Sequence, residues 1–182
     1  MKFLNEILDF FKNLTIENAV DIGIGLAIIV IFKIISSPIA YMIVKMFKFK
    51  VKDKNKIKNN GFYKPLKSFF VILGIYIGFM VLKLPADIFA VITKIFKICV
   101  ILLATKGFSN LFDANSESFA KLREKLNFDG NDTTINFFSK VAKALIYIIA
   151  GFILITELGY NLGGLATGLG ISSVVIALAA QD

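Results

Sequence analysis

Apolar positions in this chain gather into five blocks, each bounded by polar residues or turn formers. The first runs from about Ala19 to Val44 and is interrupted by Lys33 and Pro38. At ~1.5 Å per residue it is longer than a hydrocarbon layer of ~30 Å, so tilt or a kink at Pro38 takes up the excess. The second block, Leu66 to Leu82, meets the breaker Lys83-Leu84-Pro85-Ala86-Asp87, and the third, Ile88 to Ala104, returns as the other arm of a helical hairpin. A fourth block from about Ile135 to Leu158 and a fifth from Leu162 to Ala180 are joined by the short turn Gly159-Tyr160-Asn161. A helix needs about 20 apolar residues to cross a bilayer. The pattern therefore predicts an all-α integral membrane protein with five transmembrane helices.

Two segments outside the blocks repeat their apolar residues at helical spacing. In residues 1–18, Phe3, Leu4, Ile7, Leu8, Phe11 and Leu14 recur on one face, while Glu6 and Asp9 break the apolar core that a signal peptide requires. An interfacial amphipathic helix on the outer leaflet is expected there. Phe108, Leu111, Phe112, Phe119, Leu122 and Leu126 make a similar stripe after the third block, with Lys121, Arg123, Glu124 and Lys125 off it. Asp129-Gly130-Asn131-Asp132 then turns the chain into the fourth block.

Charge sets the direction of the spans. From Lys45 to Lys64 there are eight lysines, and the loop after the third block adds Lys106, Lys121, Arg123 and Lys125; the opposite side carries Lys2, Lys12 and Lys83. Lys and Arg collect on the cytoplasmic side of short loops, so the N-terminus is expected outside and the C-terminus in the cytoplasm, as an odd number of spans requires. The basic loop 45–64, opened by Lys45, Lys48 and Lys50, reads as a solvated linker that also touches anionic lipid headgroups, at about 1 kcal/mol per Lys near the surface. A segment of that size held at both ends by a membrane leaves no room for a nucleic-acid readout fold.

Composition narrows the chemistry. The chain is 57% hydrophobic and 19% charged, with mean hydropathy +0.75 and net charge +8, whereas soluble domains carry roughly a quarter charged residues. It has no His and a single Cys, Cys99. Zinc and haem sites, imidazole catalysis and intrachain disulfides thus lose their usual residues, and no enzyme activity, metal or cofactor is expected. No repeat at the level of whole spans is visible, which counts against an inverted-repeat transporter.

The last block differs from the others. Five of the 13 glycines lie between Gly159 and Gly170, although a glycine costs about 1 kcal/mol relative to alanine in a helix interior. Steps of three and four from Gly163 meet Gly163, Ala166, Gly170, Ser173, Ala177 and Ala180, so one face consists of small residues alone. Such faces let helix backbones approach closely and pack by dispersion, GxxxG-type dimerisation being the plainest use. The remaining Leu162, Leu165, Leu169, Val174, Val175, Ile176 and Leu178 leave no polar stripe. A pore made by this helix would be closed by apolar side chains and would gate by dewetting. Gly168-Leu169-Gly170-Ile171-Ser172-Ser173 makes a poor phosphate loop, since no strand precedes it and no Gly-Lys-Ser/Thr follows.

Three stretches, Thr156-Glu157-Leu158-Gly159-Tyr160-Asn161, Gly168-Leu169-Gly170-Ile171 and Ala177-Leu178-Ala179-Ala180-Gln181-Asp182, resemble the pore-helix region of the mechanosensitive channel of small conductance (MscS) family. The similarity reaches upstream through Asp132-Thr133-Thr134 and the fourth block. The resemblance implies a homoheptamer in the bacterial cytoplasmic membrane, its last membrane helix lining a pore that opens under tension to ions and small solutes. It places Val174 and Leu178 at the two apolar rings of the constriction and Gly170, Ser173 and Ala177 in the seam between copies. Gln181 and Asp182 fall at the bend where the family's pore helix turns out along the membrane. Val174 is smaller than the family's usual Leu, and Asp182 stands where some members have Gly. The family continues into a cytoplasmic vestibule, so the chain is expected to be a truncated member without that domain. Residues 19–131 become peripheral, tension-sensing helices, and residues 132–182 the fourth span and pore helix.

Asp21, Lys33, Lys94, Lys97 and Glu157 lie within or at the ends of blocks, where charges invite functional readings. Asp21 and Glu157 sit near the outer ends, within reach of water. Lys94 and Lys97 share a face of the third block and are expected to snorkel or to pair across the bundle; alternatively they line a basic crevice that holds lipid phosphate. The function expected is a tension-gated channel that acts as an osmotic safety valve, with membrane lipids and further copies of itself as partners. A secondary transporter or permease subunit and a non-conducting membrane anchor are the rivals.

Overall fold

A computed structural model of the chain describes residues 16–47, 57–58, 60–114, 116, 119–120, 123–124 and 131–181. The expected interfacial helix at the N-terminus, Lys48 and Lys50 of the basic loop, Leu122 and Leu126 of the inner stripe, and Asp182 lie outside the described residues. The elements are α1 (Ile16–Phe47), α2 (Tyr63–Val81), α3 (Ala86–Leu111), α4 (Asp132–Glu157) and α5 (Leu162–Ala179). Among the described residues four helices are long and apolar enough to cross a membrane: Ala19–Met46 of α1, Tyr63–Val81, Ala86–Leu111 and Thr133–Glu157. In α5 the apolar stretch Gly170–Ala179 is shorter.

Each helix packs mainly on its neighbour in the chain, α1 on α2 most extensively and α4 on α5 hardly at all, so the described helices form an open row. Little of their surface is covered, which suits helices whose apolar side chains meet lipid tails as readily as each other. The α1–α2 contact is close because glycines face it. A Cβ on Gly25 would lie 2.9 Å from the Gly78 carbonyl oxygen, one on Gly78 would lie 2.8 Å from Ile29 Cγ1, and one on Gly74 would collide with Phe32. Further along the pair, α1 continues through Pro38. There the buried Ser36 donates to the Lys33 carbonyl at 2.8 Å, and Ser37 shares a 2.8 Å hydrogen bond with Tyr63 OH. Ala40, Val44, Ile57 and Tyr63 close this end in a small buried cluster.

The breaker after α2 forms the tight turn expected of it. Lys83 takes a positive φ of 46° and reaches Asp21 at 3.2 Å, so the start of α1 and the α2–α3 turn are tied together. Along the hairpin, Tyr76 stacks on Phe96 and Phe89 with ring centroids 4.3 and 5.7 Å away. At the other end Asn110 Nδ2 donates to the Gly61 carbonyl at 2.7 Å.

α3 runs about two turns past the expected end at Ala104. Gly107 is the reason: the Phe62 ring lies where its Cβ would be, 2.8 Å away, so the helix keeps a packing partner beyond its apolar block. Phe108 and Leu111, read as part of a separate interfacial stripe, are thus residues of α3, and Phe108 meets Phe62 edge-on at 6.0 Å. Phe119 of the same stripe is buried, its ring 6.3 Å from that of Phe112.

Candidate functional site

Two helices meet at the glycine-rich end of the chain. α4 stops in a Schellman turn: Gly159, with φ of 100°, follows the C-cap Leu158, Tyr160 N donates to the Ile155 carbonyl at 3.1 Å, and Gly159 N donates to Thr156 at 2.9 Å. Few residues other than glycine adopt that φ without strain. Asn161 then caps α5, its Oδ1 accepting from Gly163 N at 2.8 Å. Within α5 the hydroxyls of Thr167 and Ser172 turn back onto the carbonyls of Gly163 and Gly168 at 2.8 Å. The helix's own backbone thereby takes up polar groups that hydrocarbon would leave unpaired.

Among the described residues α5 touches the rest of the chain scarcely at all. Val174 and Leu178 are 59% and 62% exposed, and no atom lies within 4 Å of a Cβ built on Gly164, Gly168 or Gly170. Gly163 meets only its own cap, Asn161. Gly163, Gly170, Ser173 and Ala177 lie along one face of the helix at the expected spacing, and Ala180 is the residue that closes it. Ala166 belongs to the helix, but its side chain lies outside the described residues. At 3.6 residues per turn, Val174 and Leu178 fall one turn apart on the flank of this small face. Gln181 follows the helix end, its N–H donating to the Leu178 carbonyl at 3.2 Å.

The lysines of α3 reach this end of α4. Lys97 Nζ lies 2.9 Å from Glu157 Oε1, and Lys94 Nζ donates to the Leu158 carbonyl at 3.2 Å, at the negative end of the α4 dipole. In the alternatives left open by the sequence, this is the pairing across helices. Lys97 lies about 16 Å along α3 from Ala86 at ~1.5 Å per residue, so the α4–α5 turn stops well short of the level of the α2–α3 turn. Towards the other end, Lys143 meets Asp113 at 2.6 Å and Ser109 donates to Tyr147 OH at 3.2 Å. Lys45 is exposed in the last turn of α1, away from these contacts. The α1–α2 glycine contact was not anticipated, although Gly74 and Gly78 carry the GxxxG spacing that signals it.

Comparison with known proteins bears on the same two helices. A sequence-family model described as "Mechanosensitive ion channel, transmembrane helices 2/3" matches residues 140–181, most of α4 and all of α5. The chain is 29% identical over 172 residues to the uncharacterised MscS family protein YhdY of Bacillus subtilis (strain 168), a match covering 92% of this chain and 46% of the relative. It is 30% identical over 164 residues to an uncharacterised MscS family protein of Aquifex aeolicus (strain VF5), covering 87% of this chain and 44% of that one. The chain thus spans about half the length of the curated relatives it matches. No solved structure matches it significantly. With four helices long enough to span among its described residues and relatives of this kind, the chain is a multi-pass membrane protein, similar over most of its length to proteins of the MscS family.

Proposed function

We propose that the chain is the membrane part of a tension-gated, weakly selective channel that releases ions and small solutes on hypo-osmotic shock and has no enzymatic role. In this reading α5 is a fifth span, the N-terminus is outside, the C-terminus is in the cytoplasm, and the protein sits in a bacterial cytoplasmic membrane. Copies of α5, seven by family analogy, surround the pore. Gly163, Ala166, Gly170, Ser173, Ala177 and Ala180 form the seam between copies, Val174 and Leu178 ring the constriction, and Gln181 and Asp182 form the bend. Residues 19–131 are the sensor, with Lys45, Lys48 and Lys50 touching lipid headgroups while Lys94 and Lys97 brace α3 against the end of α4. One observation supports the reading: within the stretch matched by the channel family, Gly164, Gly168 and Gly170 of α5 have open space, among the described residues, where a side chain would stand.

The physical mechanism follows from those positions. Apolar rings at Val174 and Leu178 seal a narrow axis because wetting such a constriction is unfavourable, with no plug required. Tension favours whichever state has the larger area in the membrane plane, and it shifts the population only through that difference. Helices held together by a small-residue seam slide without breaking polar contacts. Pressure-clamped patches containing the full-length protein test the proposal: stepwise currents that appear with suction support it, and silent patches with protein demonstrably in the membrane contradict it.

A further inference from the structure

A cavity of about 530 Å³ opens where α2 begins and α3 ends, lined by Lys58, Asn60, Lys64, Lys106, Asn110 and Asp113 among others. Its position follows from the sequence around it. Ile57 interrupts the lysine run and is fully buried against Ala40, Val44 and Tyr63, which fixes Lys58 beside the start of α2. Asn110 holds the Gly61 turn to α3 through its 2.7 Å hydrogen bond, and Asn60 Oδ1 accepts from Phe62 N at 2.9 Å. The one carboxylate in this lining, Asp113, is matched by Lys143 at 2.6 Å. Lys58, Lys64 and Lys106 make no ion pair among the described residues. Among the described residues the wall is therefore a concentration of positive charge with amide groups between.

A second cleft of about 480 Å³ shares Lys106 and Asn110 with this cavity and continues between α3 and α4, lined by Leu102, Tyr147, Ala150 and Leu154. A basic chamber joined to an apolar groove has the two-part chemistry of a phospholipid. A free phosphate would use only the first part. We propose that the pair of clefts holds one anionic phospholipid, its phosphate among Lys58, Lys64 and Lys106 and an acyl chain in the α3–α4 groove. This site lies apart from Lys94 and Lys97 and ties α2, α3 and α4 to one lipid. It gives the peripheral helices of the channel reading a specific ligand, yet it stands without that reading, since binding is read by mass and conduction by current.

The test is native mass spectrometry of the full chain in non-ionic detergent, titrated with dioleoyl phosphatidylglycerol and with dioleoyl phosphatidylcholine. The anionic lipid should be retained more tightly by roughly tenfold or more. The triple variant Lys58→Gln, Lys64→Gln, Lys106→Gln should bring it down to the zwitterionic level, and the same three changes to Arg should preserve it. Gly151→Leu is the independent variant: Gly151 borders the groove and a Cβ there meets nothing within 4 Å, so the fold accepts the side chain while the groove fills. It should weaken retention of the anionic lipid with every lysine in place. Equal retention of the two lipids, unchanged binding in the triple-Gln chain or in Gly151→Leu, or ready displacement of the lipid by excess inorganic phosphate would each overturn the proposal, the last in favour of a free-anion site.

Discussion

Two groups of glycines on the helices of this molecule meet opposite surroundings. At Gly25, Gly74 and Gly78 the space a side chain would need is filled by Phe32, Ile29 and backbone from the facing helix. At Gly164, Gly168 and Gly170 in α5 that space is open. Both groups bear the same helix penalty of about 1 kcal/mol per glycine. In α1 and α2 the close approach within one chain offsets it, because helix association in lipid depends on contact area and dispersion. In α5 the described residues supply no such return, which is why the proposed function looks to neighbouring copies for it.

The sharpest way to break this comparison is to put the same side chain on both surfaces. Gly78→Leu should lower the unfolding free energy of the detergent-solubilised chain by about 3 kcal/mol, the upper range for overpacking, because one obstructing atom is a backbone oxygen. Gly170→Leu should leave that unfolding within about 0.5 kcal/mol of wild type, as for an open surface, yet abolish assembly in native mass spectra. Equal destabilisation by the two, or intact assembly of Gly170→Leu, would remove the distinction.

The next largest effect concerns the flank of α5. If Leu178 rings the pore as proposed, Leu178→Ser in the full-length protein gives every ring position a hydroxyl that holds water, so channels should open at lower pressure and cells should leak solutes. Ile176→Ser, on the opposite side of the helix at about 100° per residue, should leave the threshold unchanged. Identical thresholds for the two would mean that another face lines the pore.

The smallest effect tests the link between the two regions. A charge left alone in hydrocarbon is disfavoured by about 3 kcal/mol, but this pair is partly exposed, with side-chain accessibilities of 54% and 24% for Lys97 and Glu157. A double-mutant cycle of Lys97→Met and Glu157→Gln should return a coupling of about 1 kcal/mol in unfolding, near the upper end for polar contacts between membrane helices. A value near zero would mean that Lys97 and Glu157 meet lipid headgroups or water in preference to each other.

Hydropathy made most of the helices legible, because a block of apolar residues bounded by Lys83-Leu84-Pro85 or Gly159-Tyr160-Asn161 has few other uses. The extent of α3 was hidden, since Phe62 packing on Gly107 is a contact between residues 45 positions apart and leaves no periodic trace in either segment. The partner of Lys97 was hidden for the same reason: Glu157 lies 60 positions away, and only the antiparallel stagger of α3 and α4 brings them together. The small face of α5 could be read directly, as spacing alone defines it. Lys58, Lys64 and Lys106 could not be singled out from the other lysines, because burial of Ile57 and the Asn110 hydrogen bond select them.

Thiol cross-linking between copies tests most directly whether the small face of α5 meets another chain. Replacing the single Cys99 with Ser gives a cysteine-free protein, into which Ala177→Cys or Ile176→Cys is introduced. Native membranes are then treated with a short bis-maleimide. A cross-linked dimer from Ala177→Cys, with little or none from Ile176→Cys, is the expected result. Cross-linking that is absent at Ala177→Cys, or as strong at Ile176→Cys, would contradict the seam and with it the assignment of α5 as the pore helix.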